Sequence, residues 1–336
     1  MNIQELMSCY RRGERNFTGV NLTGENLNSI DLRGANLAYA ILDGADLSRA
    51  NLTGVNLEGA FLYGADLSYA RLSHANLSHA TLTKATLTGV YLVNANLTHA
   101  KISGAVLQGV NLRQADLTGV NLCGANLHNI NLRSANLTDA NLNWANLCGA
   151  RLSGAIFIRT QMVGVKLSHA YLNGTNLRYA DLEGVNLCEA KLSGADFSYA
   201  NLTVANLNHA HMRLAILHNT RLHAANLAWA DLSQADLTRA DLSGSDLTNT
   251  NLQAALLNET NLNAADLSRA NLEDTNLEDA YTWAATTDHA PLTPAPLSDA
   301  SAASEGSPRP SASPSSDRYK SSRASKPRRR TLLSVI

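Results

Sequence analysis

Proline is missing from the first 290 residues of this 336-residue chain; all seven stand at or after Pro291. A backbone free of proline keeps its N–H groups available, as a sheet-like interior needs. Aromatic residues make up 5% and phenylalanine occurs four times, so leucine must fill any interior. The four cysteines are too few and too scattered for a disulfide framework, which points to a reducing compartment and a cytoplasmic location. No apolar run is long enough to span a membrane, and the first residues lack the apolar stretch of a secretory signal. Net charge is −1, so no charge of one sign dominates the whole chain.

What is present is a period of five. From Phe17 to Leu277 an apolar residue recurs at every fifth position, giving 53 consecutive pentapeptides, 47 of them centred on Leu. Phe17, Phe157, Phe197, Met162, Met212 and Ile102 fill the other centres. Two residues before the centre stands Ala in 35 units, and one residue before it Asn or Asp, also in 35. A helix advances about 100° per residue, so five residues move the apolar position by about 140° and its stripe wanders. A long strand fails because five is odd. Within one unit the order small, polar, Leu reads in, out, in, a three-residue strand fragment. The remaining two residues must turn the chain. Of the 21 glycines, 19 lie two residues after a centre, where a type II turn requires positive φ. Thirteen fall in alternate units, which suggests a decapeptide with two kinds of corner.

The motif Ala-(Asp/Asn)-Leu-X-X, as in Ala35-Asn36-Leu37-Ala38-Tyr39 and Ala45-Asp46-Leu47-Ser48-Arg49, closely resembles the pentapeptide-repeat proteins. The resemblance implies an all-β fold: a right-handed quadrilateral parallel β-helix with four units per coil, hence about 13 coils here. Its interior is packed solid, leaving no ligand channel. The expected divisions are a capping helix in residues 1–14, the β-helix in 15–280, a C-terminal cap in 281–289 and a disordered Ser/Pro-rich basic tail in 290–336. Ile3, Leu6, Met7 and Tyr10 make a helical stripe, with Asn2 and Glu5 as a capping box. Glu25 occupies an inward position and is expected to pair with Arg15 or the lid. Trp283 is expected to plug the last coil.

With coils of 20 residues, Arg151, Tyr171, Lys191 and His211 form an outward ladder, and an adjoining column carries Arg159, Tyr179 and Tyr199. Tyr and Arg are enriched at interfaces, so these seven are the candidate partner-binding face. Asp231, Asp236, Asp241, Asp246 and Asp266 form a candidate acidic patch, since residues 226–280 sum to −8. The Asn and Asp before the centres are read as structural, bonding backbone at the corners. His209, His211, His218 and His223 sit at different corner positions, so no metal site is expected. No nucleophile–base pair, phosphate loop or dinucleotide motif appears, so neither catalysis nor a cofactor is expected. The chain reads as a rigid interaction rod for a protein partner. Nucleic acid is expected only as a weak ligand of the basic tail around Lys326 and Arg328 to Arg330. The alternative, implied by the resemblance, is a DNA mimic that binds DNA gyrase or a topoisomerase.

Overall fold

The computed structural model of the protein describes residues 1–277 and 279–288. It opens with one helix, α1 (Ile3–Arg11). The Asn2 side chain accepts from the Glu5 N–H at 2.9 Å, and the Glu5 carboxylate accepts from the Asn2 N–H at 3.1 Å. Gly13, at φ +96°, turns the chain out of the helix. Leu6 is fully buried, and Ile3, Met7 and Tyr10 pack against the same core.

From Asn16 onward every residue before a centre bridges, in parallel, the residue 20 positions later. The series runs unbroken from Asn16↔Asn36 to Asp266↔Thr286. One coil therefore takes 20 residues, or four pentapeptides, and stacked coils repeat at about 4.8 Å. The chain crosses a side in three residues and turns in two. Each turn is closed by the small residue's N–H donating back to the preceding centre's carbonyl, as Ala40 N–H does to Leu37 O at 3.1 Å. The second turn residue is left-handed at every corner from Gly19 to Asp274 and again at Ala284, with φ between 51° and 70°. Glycine and non-glycine corners share this conformation, so the alternating glycines do not create two kinds of corner.

The interior alternates as the residue types require. The Leu centres from Leu22 to Leu267 are at most 1% exposed, and the small residues between them fill the remaining space. Where Thr replaces Ala, its hydroxyl finds a carbonyl: Thr160 Oγ1 donates to Leu137 O at 2.9 Å and Thr220 Oγ1 to Phe197 O at 2.8 Å. Among the described residues no buried side-chain polar atom lacks a partner. Filling this interior with Leu contributes about 1.5–3 kcal/mol per side chain before entropy is subtracted.

Two expectations about the ends fail. Arg15 does not pair with Glu25; its guanidinium lies 3.9 Å from the Tyr10 ring centroid and donates to Tyr10 O at 2.8 Å. The stacked ring and the carbonyl together hold the cation over α1, and Glu25 stays half-buried without an ion pair among the described residues. Trp283 is no plug, being 69% exposed. It sits one residue after Thr282, which takes an inward centre at 8% exposure, so the pentapeptide pattern continues past residue 280 and turns Trp283 outward. The basic tail at 290–336 lies outside the described residues.

Candidate interaction surface

With the core filled, chemistry is confined to outward positions. The Asn and Asp before the centres are mostly occupied with the fold. The Asn36 side-chain amide donates to Asn16 Oδ1 at 3.1 Å, while its own Oδ1 accepts from the Ala38 N–H at 3.1 Å. Asn56, Asn76 and Asn96 repeat the amide-to-amide contact one coil apart, at 3.0 to 3.2 Å. Each such amide closes a local turn and ties two coils together.

The ladder Arg151, Tyr171, Lys191 and His211 is real: consecutive members bridge one another, and His211 bridges Asp231. Arg151, Tyr171 and His211 are exposed and Lys191 half-buried. Arg159, Tyr179 and Tyr199 also form a column, but it does not adjoin the first. Between Arg151 and Arg159 the chain rounds a corner at Gly154, crosses a whole side through Phe157 and reaches the next corner. The seven residues thus divide between one side and a corner beyond the next side. The reason is the coil: eight residues is more than one pentapeptide, hence more than one side.

That corner is internally tied. Arg159 grips Asp139 one coil earlier with two donors, at 2.8 and 2.7 Å. The hydrogen bonds hold the Asp139 carboxyl below the usual carboxylate range. The Tyr179 and Tyr199 rings stack, and Arg178, paired with Asp196 at 3.3 Å, lies within 5.9 Å of both centroids. Arg178 went unnoticed in sequence because it is the first of the two corner residues, a position that the small, polar, Leu pattern does not reach.

What does adjoin the ladder is the corner column His169, Glu189, His209 and Trp229. His169 pairs with Glu189 at 3.3 Å, and the His209 and Trp229 rings stack with centroids 5.9 Å apart. Glu189, His209, His211, Trp229 and Asp231 line a shallow, open groove of about 390 Å³.

The acidic residues do not form a patch on one side. Asp231, Asp236, Asp241 and Asp246 fall on four successive sides of one coil and girdle it; Asp266 bridges Asp246 one coil on. Each also accepts a hydrogen bond from the backbone N–H two residues later, at 3.0 to 3.1 Å. Five-residue spacing puts successive carboxylates on successive sides, not on one. Asp236 additionally meets His218 Nε2 at 2.5 Å.

Comparison with known proteins accords with this geometry. The family model for pentapeptide repeats matches in overlapping segments from residue 16 to residue 281. HetL of the cyanobacterium Nostoc sp. strain PCC 7120, a pentapeptide repeat protein involved in heterocyst differentiation regulation, is 31% identical. The match covers 84% of this chain and 98% of HetL, with a TM-score of 0.20. A pentapeptide repeat protein of the Arabidopsis thaliana thylakoid lumen is 37% identical over 30% of this chain and 69% of its own, with a TM-score of 0.29. Full-length QnrB1, a plasmid-mediated fluoroquinolone resistance protein, is 20% identical over 79% of this chain and 94% of its own, with a TM-score of 0.18. No curated protein matches the chain. Five-residue periodicity, 20-residue bridging and the family match meet in one conclusion: the chain belongs to the pentapeptide-repeat family.

Proposed function

We propose that the protein is a non-catalytic interaction module, a right-handed quadrilateral β-helix that presents its outer surface to a protein partner. The observation carrying this reading is the filled interior: Leu centres and small residues close the core along the coils. The concavities along the ladder are shallow and open, unlike the enclosed pockets that usually hold substrates. The ladder Arg151, Tyr171, Lys191 and His211 is the proposed contact strip, and the four free cysteines suit a reducing cytoplasm. No helix among the described residues is long and apolar enough to cross a membrane.

The test is affinity capture with the wild-type chain against a variant carrying Arg151→Ala, Tyr171→Ala and Lys191→Ala. Capture of the same partners in equal amounts by both would remove the strip. The DNA-mimic alternative needs acid displayed along a surface. Four of the five carboxylates instead encircle one coil, with Asp266 alone on the next, and that reading falls if the protein leaves gyrase supercoiling unchanged.

A further inference from the structure

The cations are not spread evenly round the rod. The side that carries Arg151 holds Arg71, Arg151 and Lys191 at its outward position, and the corner that follows it holds Arg113, Arg133 and Arg213; between Arg71 and Arg213 the one carboxylate beside them is Glu189, on the corner at the other margin. The next side round carries Asp116 and Asp196 over the same coils, and the one after it Asp181 and Glu183. Arg33, Arg159, Arg178 and Arg239 are each paired with a carboxylate. Arg71, Arg113, Arg133, Arg151 and Lys191 form no ion pair among the described residues, and Arg213 turns to the neutral Gln234 Oε1 at 3.0 Å. Segment sums along the chain hide this row, because consecutive members are separated by three other sides.

Two tyrosines stand in the same file, Tyr91 at 53% and Tyr171 at 48% exposure. Beside Tyr91 the corner is lowered by Gly89 and Gly109, which have no side chains. A shallow groove of about 400 Å³ results, reaching from Tyr69 and Tyr91 to Asn131 and Arg151.

We infer that this side also binds a single-stranded nucleic acid laid along the rod axis, its phosphates on the cation row and its bases against Tyr91 and the groove, in competition at Arg151 and Lys191 with the protein partner proposed above. Two neighbouring columns of cations, one on the side and one on the corner that follows it, repeat at multiples of the coil spacing and together match a linear polyanion. Seven coil steps from Arg71 to Arg213 span about 34 Å at about 4.8 Å each. Aromatic rings set among cations supply stacking without sequence choice. An anionic bilayer fits less well: it meets a broad plane, whereas this row is one side and one corner wide, with Glu189 at one margin and Asp116 and Asp196 on the side beyond the other.

The experiment is fluorescence anisotropy of labelled oligothymidylate and oligouridylate of about 12 nucleotides with the full chain. Salt is varied from about 50 to 200 mM. Single strands give a log–log slope of about −0.7 per phosphate neutralised, so six cations predict about −4. The triple variant Arg113→Gln, Arg133→Gln, Arg151→Gln should lower the slope's magnitude by about 2 and weaken binding at least about tenfold at the lowest salt. Tyr91→Ala should weaken binding by about fivefold or more with an unchanged slope. These side chains are exposed, so thermal melts should match wild type. Deletion of 318–336 separates the tail's contribution. The proposal is overturned by absence of oligonucleotide binding, by equal binding of the triple variant, by binding that vanishes with the tail alone, or by retention only on phosphatidylserine vesicles.

Discussion

Tyr179 and Tyr199 stand one coil apart with ring centroids at 5.2 Å and planes 9° from parallel. Both are about half exposed, so the stack gains from ring contact and from Arg178 more than from burial. A double-mutant cycle of Tyr179→Ala and Tyr199→Ala should show a coupling of about 0.5–1.5 kcal/mol in denaturant unfolding. Additive effects would mean the rings merely lie near each other.

The left-handed corners hold many residues that are not glycine, and Val204 at φ +51° is β-branched and 52% exposed. Such a side chain costs about 1–2 kcal/mol in that conformation. Val204→Gly should therefore stabilise the local coils by about 1 kcal/mol, less what the unfolded chain gains in freedom. A lowered unfolding midpoint would show that Val204 packing outweighs the backbone cost.

Gly59 presents the converse. A Cβ there would lie 2.6 Å from Tyr39 Cε1, and φ is +61°. Gly59→Ala should destabilise by about 1–2 kcal/mol, with the backbone part surviving in a Tyr39→Ala background. Equal stability of Gly59→Ala and wild type would contradict this arrangement of the Tyr39 ring.

Leu132 is fully buried midway along the stack. Leu132→Ala should cost about 2–5 kcal/mol, and Leu132→Lys should unfold the central coils because an ammonium has no partner there. Since coils contact mainly their neighbours, hydrogen exchange should accelerate around residues 112–152 before the ends respond. Uniform protection in the Lys variant would place Leu132 outside the core.

Stability should fall in acid. Ser48's hydroxyl and N–H hold the Asp46 carboxyl below its ordinary value, and Ser268 does the same for Asp266. At Asp236 burial pushes the carboxyl up, but hydrogen bonds from Thr238 and contact with His218 outweigh it and leave it lowered. A folded-state value below the unfolded one, about 3.9, gives stability that is present above pH 4 and is lost as pH falls through the folded value. Chemical denaturation at pH 7 and pH 3 should show lower stability at pH 3, and Asp236→Asn should reduce the difference. A pH-independent midpoint between these values would contradict the lowered carboxyls.

Much of the fold was legible from a few residue types. Ala, Asn and Leu at fixed offsets give in, out, in, and the turn follows because only two residues remain. Asn2 and Glu5 announced the first helix, since a capping box is local chemistry. The surface was far less legible. Arg151 and Arg159 look close in sequence yet stand on different parts of the coil. Asp231, Asp236, Asp241 and Asp246 look like a cluster and form a girdle. Trp283 looked like an ending and became an ordinary outward residue, because the turns tolerate a Thr centre at 282.

The five-residue period alone determined that this chain stacks a continuous leucine interior, because inward positions are set by local alternation and by where the chain can turn. Which outward residues become neighbours was decided only by the 20-residue bridging, a tertiary hydrogen-bond register between coils. Arg113 and Arg133 stack at the corner that follows the side of Arg151 because backbone N–H and C=O groups pair across that interval, a relation that no stretch of adjacent residues contains.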